Sequence, residues 1–519
     1  MPTQIDLLVT NGNILTMDSN QPSAEAFAVK TGRIIAIGTN EELSALKRQA
    51  RHTLDLHGAT VVPGFIDSHT HFAEMGTSML NLDLSCASSA EDALGLVKTR
   101  ISVTAPGNLI LGYNLDESSW PSPRFLTKKD LDPIAPHNPV VLIRICGHLA
   151  CVNSLALQRL DINLSHPGVD RNPVTGEATG VLRDIPIDPR SLQKLEDFPN
   201  RAILEACRYA NSIGITSIHE NLYLRQLPFI TEYLNLRRTN QLTVRVYCNL
   251  ETKMLDRIAG LCLATGFGDD FFRLGGVKAF IDGSLGAQTA AITQPYDDMT
   301  TTNGMLLVSE DEYRFILETS NKLGLQVNTH AIGDRAIELL LRCHEQECSN
   351  DIASQLRHSI IHAELLTPPL LQRTKKIGTL LLMQPNFVHR WGLPGGMYDM
   401  RLGPIRAQQL NNFRHILDAG IRVAFGSDCM PMNPLYGIYA ATTHPNPATR
   451  ITIEEALRCY TIEAAYASFE EKEKGSLTEG KLADFVVLSE NPLTIEPKRI
   501  QDIRIEKTFL GGVCVFSHI

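Results

Sequence analysis

One stretch decides the fold prediction: VVPGFIDSHTH, residues 61–71. Its apolar first part predicts a buried β-strand, and His69 and His71 follow where that strand ends. Because residues i and i+2 of a strand face the same side, both imidazoles point toward one place. Neutral imidazoles are ligands that suit zinc and similar divalent ions. A His-x-His tripeptide is a weak signal by itself, so its weight depends on where the rest of the chain places it.

The middle of the chain alternates between short apolar runs and amphipathic stretches of helix length. The predicted strands are residues 60–66, 215–219, 244–249, 276–281, 325–328, 359–361, 379–383 and 423–425. Helical patterns between them include residues 201–213, 311–323, 334–348 and 407–419. Alternating strands and helices indicate a parallel sheet. Eight such units predict an α/β fold of the (β/α)8 TIM-barrel type.

Both ends of the chain have a different pattern, with short β-type runs separated by glycine-containing turns. This pattern predicts a composite β-sandwich domain made of residues 1–62 and 475–519, beside a barrel at residues 63–474. A long gap separates the first two barrel strands. We therefore expect an inserted subdomain at about residues 84–200, placed over the barrel mouth.

The composition excludes several classes of protein. The chain has 519 residues, of which 43% are hydrophobic and 20% charged, as in a globular protein of more than one domain. Its net charge of -9 provides no basic surface for nucleic acid, so a small-molecule partner is expected. We predict a cytoplasmic location without membrane association, because neither a secretory leader nor a bilayer-spanning run is visible.

Further ligand-type side chains stand on or after the predicted strands. Lys278 lies within the fourth strand, whereas His330, His362 and Asp428 follow the fifth, sixth and eighth strands. Barrel enzymes carry their reactive groups at the carboxyl ends of the strands. Each of these residues alone is compatible with an ordinary polar position. Together with the histidine pair they predict a metal centre at this rim.

These segments resemble the amidohydrolase superfamily, and within it the amidohydrolase 3 group of YtcJ-like hydrolases and N-substituted formamide deformylases. The matching pieces are residues 63–71, 277–286, 329–334, 361–364 and 426–428, with 475–477 and 480–484 at the return into the β domain. The resemblance covers nearly the whole chain. It implies a metal-dependent amidohydrolase in which a metal-activated hydroxide attacks an electrophilic carbon.

The resemblance also implies the ligand set. His69, His71 and Asp428 are expected to hold one divalent ion, with zinc as the expected metal. His330 and His362 are expected to hold a second. Lys278 is expected to bridge the two as an N-carboxylated lysine, because nearby positive charge favours the neutral amine that reacts with CO2. With an unmodified lysine, a single-metal site remains the alternative. Asp428 is also the predicted catalytic residue, carrying the proton of water to the leaving nitrogen.

Four residues are candidates for substrate contact. Asp282 and Ser284 follow the fourth strand in a glycine-rich stretch, for which substrate binding and a simple turn both stay open. Trp391 lies in the stretch 384–396 after the seventh strand, interpreted as a loop that acts as a lid. His148 belongs to an insertion segment similar to one that reaches the pocket in the family.

Three functional hypotheses follow. The first is hydrolysis of a non-peptide C–N bond in an amide, formamide or cyclic amide. The nearest alternative is deamination of an aminated ring by the same chemistry. An inactive metal-binding or regulatory protein is the third, which a missing ligand would favour, although all six candidates are present. Cys146 and Asn114 replace acidic and aromatic residues common in the family, which leaves the substrate open. Exposed edges of the β domain allow homo-oligomers to form.

Overall fold

The computed structural model describes residues 4–117, 120–144, 149–160, 162–183, 185 and 198–518. The chain divides into two compact units. The first consists of Met1–Phe72 and Cys207–Ile519, and the second of Ala73–Ala206.

The centre of the first unit is an eight-stranded parallel sheet whose strands lie side by side in chain order. From first to eighth, the barrel strands are Phe65–Thr70, Ile215–Leu222, Arg245–Glu251, Phe272–Phe280, Gln326–Ala331, Ser359–His362, Leu380–Met383 and Val423–Phe425. Runs such as Leu380–Met383 are buried throughout, as expected for strands covered on both faces. The eighth strand lies beside the first, where the backbone amide of Asp428 donates to the carbonyl oxygen of His69 at 2.9 Å. The predicted eight-stranded barrel is thus confirmed.

The predicted strand at residues 60–66 is wrong in one respect, because it is two strands. Thr60–Pro63 belongs to an outer sheet, and Phe65–Thr70 begins the barrel. The chain passes from one sheet to the other at Gly64. A Cβ atom at Gly64 would lie only 2.2 Å from Oγ1 of Thr216, so a side chain has no room there.

Helices connect and surround the barrel strands. They are Phe198–Ser212, Pro228–Arg238, Leu255–Gly260, Glu310–Leu323, Asp334–Glu347, Asn350–Leu356, Pro368–Ile377, Asn386–Trp391, Met397–Ala407, Phe413–Asp418, Pro434–Thr442, Ile453–Cys459 and Ile462–Ala467. No helix of the described ranges is long and apolar enough to cross a membrane.

Two predictions of local structure require correction, one of a helix and one of a loop. The helix expected at residues 407–419 is interrupted, because Asn411 adopts a φ of 52° and the side chain of Asn412 caps a new helix at Phe413–Asp418. The stretch 384–396, interpreted as a loop, contains the helix Asn386–Trp391. Its residue Phe387 is buried, and the role of this stretch as a lid stays a prediction.

The outer β-structure of the first unit combines both ends of the chain. The six-stranded sheet has the order Val513–Ser517, Ile505–Leu510, Phe485–Leu488, Thr60–Pro63, Asn13–Leu15 and Ser23–Ala24. The four-stranded sheet has the order Arg33–Gly38, Ala26–Lys30, Ile5–Thr10 and Ala50–Asp55. Phe27 and Phe485 meet in one core, with ring centroids 5.0 Å apart. The domain boundaries 1–62 and 475–519 stay a prediction.

The second unit has its own sheet and core. Its six strands have the order Val169–Arg171, Ala178–Arg183, Leu149–Val152, Val140–Arg144, Ile110–Leu115 and Leu82–Asp83. Helices of this region are Phe72–Leu80, Ala90–Ser102, Lys128–Leu131 and Ser154–Arg159. Buried side chains such as Trp120 and Leu142 form its core. The role of this insertion as a cover of the barrel mouth stays a prediction.

Candidate metal centre

Three side chains converge where the first and eighth barrel strands end. Nε2 of His69 and Nε2 of His71 each lie 3.4 Å from Oδ1 of Asp428. Zinc binds nitrogen at about 2.0–2.1 Å, so ligand atoms in a tetrahedral site lie about 3.3 Å apart. Both distances to the carboxylate therefore equal the spacing of ligands around one divalent ion, and the ligand atoms of all three residues lie within 4.8 Å of one another.

The electrostatics of this cluster also fit a metal ion. Burial, together with the charge of Lys278, holds the pKa of His69 well below its ordinary value, so the ring is neutral and its lone pair is available. Burial raises the pKa of Asp428, while His71 and Lys278 oppose that rise. Among the described residues, Oδ1 of Asp428 has no hydrogen-bond partner. A buried acceptor facing two imidazoles, of which that of His69 is neutral, is a donor set that a cation completes.

His330 and His362 form a second pair beside the first cluster. Their ring centroids lie 4.5 Å apart, and the ring of His362 lies 5.3 Å from that of His69. Nε2 of His330 lies 2.9 Å from the carbonyl oxygen of Gly283, which can only accept a hydrogen bond. Nδ1 of His362 lies 2.7 Å from Oε1 of Gln384. Each contact leaves the other ring nitrogen with its lone pair, Nδ1 in His330 and Nε2 in His362.

Lys278 is buried in the fourth barrel strand. Its Nζ has no hydrogen-bond partner among the described residues and lies 4.8 Å from the ring centre of Phe280. Burial lowers the pKa of Lys278 to about 7, although the carboxylate of Asp428 acts in the opposite direction. A large fraction of this amine is therefore neutral near neutral pH.

Two of the ligand candidates have a strained backbone. His362 and the following Ala363 have φ values of 75° and 48°, and Asp428 and Cys429 have 53° and 59°. Residues other than glycine rarely adopt this left-handed backbone conformation. It costs about 1–3 kcal/mol per residue and is concentrated at functional sites. The strain therefore marks these two turns as functional candidates independently of the residue types.

Two residues that support the centre, Asp67 and Asn221, were not singled out as such from the sequence. Oδ1 of Asp67 accepts hydrogen bonds from the backbone amides of His69 at 3.2 Å and Ser427 at 2.9 Å, tying the first strand to the last. Glu220 accepts from the backbone amide of Phe72 at 2.6 Å. Asn221 contacts Nδ1 of His69 at 3.0 Å. The available signal was position, because each lies near a strand end, where side chains face the site.

The four substrate candidates have different positions. The carboxylate of Asp282 is buried and accepts three backbone hydrogen bonds, from Ala291, Ile332 and Gly333. It therefore holds the loops after the fourth and fifth strands together. Oγ of Ser284 accepts from the amide of Ala287 at 3.2 Å within a turn.

Trp391 ends the helix Asn386–Trp391, and its ring lies 4.6 Å from that of Phe387 and 6.4 Å from that of Tyr398. The prediction for His148 lies outside the described residues, as does Cys146.

Aromatic rings flank the candidate ligands on two sides. Tyr223 stacks on His71 with centroids 5.6 Å apart, and Phe280 lies next to Tyr223 at 6.2 Å. On the other side, Phe387 stacks on His362 at 6.0 Å. These rings give the surroundings of the polar centre a largely apolar character.

The sequence of the chain is similar to those of known metal-dependent hydrolases and their relatives. The profile of the Amidohydrolase family matches residues 52–516. The chain belongs to the amidohydrolase family. This amidohydrolase is 32% identical to Protein LONG AFTER FAR-RED 3 of Arabidopsis thaliana, over 98% of this chain and 91% of that protein. It is 31% identical to the putative amidohydrolase YtcJ of Bacillus subtilis, over 98% of each chain. It is 26% identical to N-substituted formamide deformylase of Arthrobacter pascens, over 98% of each chain.

A solved structure shares most of this fold. The amidohydrolase resembles an uncharacterized metal-dependent hydrolase from Pyrococcus furiosus with a TM-score of 0.78 and 28% identity, covering 94% of this chain and 100% of that one. The protein is thus a metal-dependent hydrolase of the amidohydrolase family, and the family predicted from the sequence is confirmed.

Proposed function

We propose that this amidohydrolase cleaves the C–N bond of a small non-peptide amide, formamide or cyclic amide at a dinuclear zinc centre. His69, His71 and Asp428 would hold one ion, and His330 and His362 the second. The observation that carries the proposal is the pair of 3.4 Å distances from Oδ1 of Asp428 to the two histidines. Aromatic rings beside the centre favour substrates with an apolar substituent.

A bound divalent ion supplies Lewis acidity toward the carbonyl oxygen and makes water a nucleophile near neutral pH. The chain moves the proton. Asp428 accepts it from the attacking water on its carboxylate and donates it to the leaving nitrogen, so that the amine departs neutral. The raised pKa of Asp428 suits this exchange, because the carboxylate then binds a proton more readily than an exposed aspartate. The bonds from His330 to Gly283 and from His362 to Gln384 keep both rings in place.

Lys278 would become a ligand through a covalent change. Its neutral amine adds to CO2, a C–N bond forms, and one proton leaves, which produces a carbamate anion. The pKa of about 7 supports this reaction, because it provides the neutral amine at physiological pH. An anion at this position would also remove the part of the pKa lowering of His69 and His330 that the ammonium ion causes.

The test is a substrate screen with the purified, zinc-loaded protein. We expect turnover of at least one compound among formamides, N-acyl compounds and lactams, with apolar N-substituents preferred over charged ones. Aminated heterocycles in the same screen address the alternative, a ring deaminase. Asp428→Asn is the matched variant, because it keeps the size of the side chain but cannot accept the proton in the same way. A wild-type protein that binds no metal would contradict the proposal. So would an Asp428→Asn variant that turns over substrate at the wild-type rate. The cytoplasmic location and homo-oligomer formation stay predictions.

A further inference from the structure

The turn after the eighth barrel strand carries Asp428 in an unfavourable backbone conformation. The backbone amide of Met430 donates to the carbonyl oxygen of Ser427 at 3.1 Å, which closes a four-residue turn. Its two central residues, Asp428 and Cys429, have φ values of 53° and 59°. Positive φ at both central positions is the conformation of a type I′ turn, which glycine, asparagine and aspartate adopt most readily. Cysteine at the second central position is therefore strained, and contacts outside the turn have to hold it in place.

The side chain of Asn386 holds this turn from the segment after the seventh strand. Asn386 begins the helix Asn386–Trp391 and is fully buried. Its Nδ2 donates to the carbonyl oxygen of Ser427 at 2.8 Å and to that of Met430 at 2.7 Å. These are the first and last residues of the turn. Carbonyl oxygens only accept hydrogen bonds, so the amide of Asn386 has one orientation and joins both ends of the turn.

The start of the turn is also bound to the first barrel strand. The backbone amide of Ser427 donates to Oδ1 of Asp67 at 2.9 Å, and that of Asp428 donates to the carbonyl oxygen of His69 at 2.9 Å. Both bonds lie before the second central residue of the turn. The contact of Asn386 with the last residue of the turn adds a fixed point on the other side of that residue. The turn is thus held at both ends by groups from two other barrel segments.

The conformation of the turn determines where the carboxylate of Asp428 lies. The direction of a Cβ atom follows the backbone of its own residue, so a turn that relaxes to negative φ moves the side chain. In the strained conformation, Oδ1 of Asp428 lies 3.4 Å from Nε2 of His69 and 3.4 Å from Nε2 of His71. The strain of two residues and the contribution of two hydrogen bonds are of similar size. Removing the bonds of Asn386 therefore allows the turn to relax.

We propose that Asn386 is a positioning residue for Asp428. By joining the carbonyl oxygens at the two ends of the turn, it keeps the strained backbone in the conformation that directs the carboxylate toward His69 and His71. This inference rests on the proposed function, in which Asp428 is a metal ligand and carries the proton. The effect of Asn386 passes through the backbone of the turn to the affinity for the ion.

The test is the affinity of the full chain for Zn²⁺ alone, measured by competition with a chelator. Asn386→Leu removes both donor hydrogens and keeps a side chain of similar size. We expect about 10- to 100-fold weaker Zn²⁺ binding, as is usual when a group that orients a metal ligand is lost. The visible spectrum of the Co²⁺ form should change as well, because the carboxylate moves relative to the ion.

Asn211→Leu is the matched control. Asn211 is also buried, and its Nδ2 joins two carbonyl oxygens, those of Ile215 at 3.2 Å and Thr243 at 2.9 Å. Ile215 begins the second barrel strand and Thr243 precedes the third, so this contact lies at the amino ends of the strands, away from the candidate centre. Asn211→Leu should lower the temperature of thermal unfolding and bind Zn²⁺ as the wild type does.

Cys429→Gly separates an effect on the turn from a general loss of structure. Asp-Gly is a preferred pair at the centre of a type I′ turn, so this substitution removes the strain that Asn386 holds. In the double variant Asn386→Leu with Cys429→Gly, we expect the Zn²⁺ affinity of Cys429→Gly alone. A merely structural role of Asn386 predicts no such recovery.

Thermal unfolding of the metal-free variants shows which of them fold. If Asn386→Leu does not fold, Asn386→Ala is the second variant, with the same expected loss of affinity. A folded variant of either kind that binds Zn²⁺ as tightly as the wild type would overturn the inference, and so would a double variant that stays as weak as the single one. A wild type without Zn²⁺ binding would overturn the proposed function and the inference together. A failure of the substrate screen alone contradicts the proposed function and leaves this comparison intact.

Discussion

At the scale of single residues, the charge of Lys278 affects the protonation of the histidines around it. Burial lowers the pKa of Lys278 to about 7, and burial together with the positive form of this lysine lowers the pKa values of His69 and His330. As a carbamate, the same side chain would be an anionic ligand between the two groups of donors. One covalent change would therefore convert a repelled cation into a bridge between two ions.

Replacing Lys278 with Met removes this ligand and keeps a long apolar side chain. We expect the zinc content to fall from two ions per chain to one or none, and turnover to fall by at least about 100-fold, since a lost ligand costs more than a lost supporting contact. Elemental analysis and steady-state kinetics measure both quantities. Lys474→Met is the control, because Lys474 is also buried but pairs with Glu470 at 2.8 Å. It should lower the stability and leave the zinc content unchanged. Two ions and full turnover in Lys278→Met would refute the bridge.

At the scale of elements, the strands were predictable because each is an apolar run between turn residues. The first and last residues of several strands differ from the prediction. The fourth strand, for example, begins at Phe272 rather than at residue 276. The break at Gly64 was not predictable, because an uninterrupted apolar run reads as one strand. The break depends on partners in distant parts of the chain, because the amide of Gly64 donates to the carbonyl oxygen of Asp484 at 2.9 Å, whereas that of Phe65 donates to the carbonyl oxygen of Gly214 at 3.1 Å.

The ligand types at the strand ends were visible in the sequence, whereas their supports were not. Asparagine is unfavourable in strands and usually indicates a turn, so the sequence gave no sign that Asn221 and Asn249 are buried in the barrel and joined by a hydrogen bond of 3.3 Å. The strained turn at His362 was also invisible, because residue type does not reveal a positive φ outside glycine. Such features follow from contacts between distant strands.

Gly64→Ala tests the passage between the outer sheet and the barrel. The new Cβ would lie 2.2 Å from Oγ1 and 2.5 Å from Cγ2 of Thr216, so the second strand must shift. We expect the free energy of unfolding to fall by about 1–3 kcal/mol, measured by chemical denaturation. Gly95→Ala, in the helix Ala90–Ser102 with no atom within 4 Å of the new Cβ, should raise it by up to about 1 kcal/mol. Unaltered stability of Gly64→Ala would show that the contact is not tight.

At the scale of the whole molecule, buried charged groups and buried neutral histidine rings determine how the free energy of unfolding depends on pH. Arg245 on the third barrel strand and Asp484 before the strand Phe485–Leu488 form a buried ion pair with contacts of 2.6 and 2.9 Å. A second group of histidines lies away from the candidate centre. Burial lowers the pKa of His358 to about 4 and that of His344 well below its ordinary value. Both rings are therefore neutral in the folded protein.

Acid should destabilise the protein through these rings. An unfolded histidine binds a proton near pH 6.5, but folded His358 does so only near pH 4, so stability falls as the pH drops through this window. The contribution of His358 is on the order of 3 kcal/mol. His358→Gln should flatten the dependence of the free energy of unfolding on pH between 6.5 and 4, measured on the metal-free protein. His57→Gln, at an exposed histidine, should leave the slope as it is. An equally steep slope in His358→Gln would exclude this explanation.

The candidate centre lies where the first and eighth barrel strands meet. His69 and Asp428 stand on opposite sides of the junction between the first and eighth strands, which is joined by the amide of Asp428 on the carbonyl of His69 and by Ser427 on Asp67. An ion held by both residues would join the first and eighth strands across this junction, and each tenfold excess of metal over its dissociation constant would add about 1.4 kcal/mol to the stability of the folded protein. A growing chain could not complete this pair of ligands until its last barrel strand had been synthesised. Metal occupancy would therefore separate finished molecules from unfinished ones.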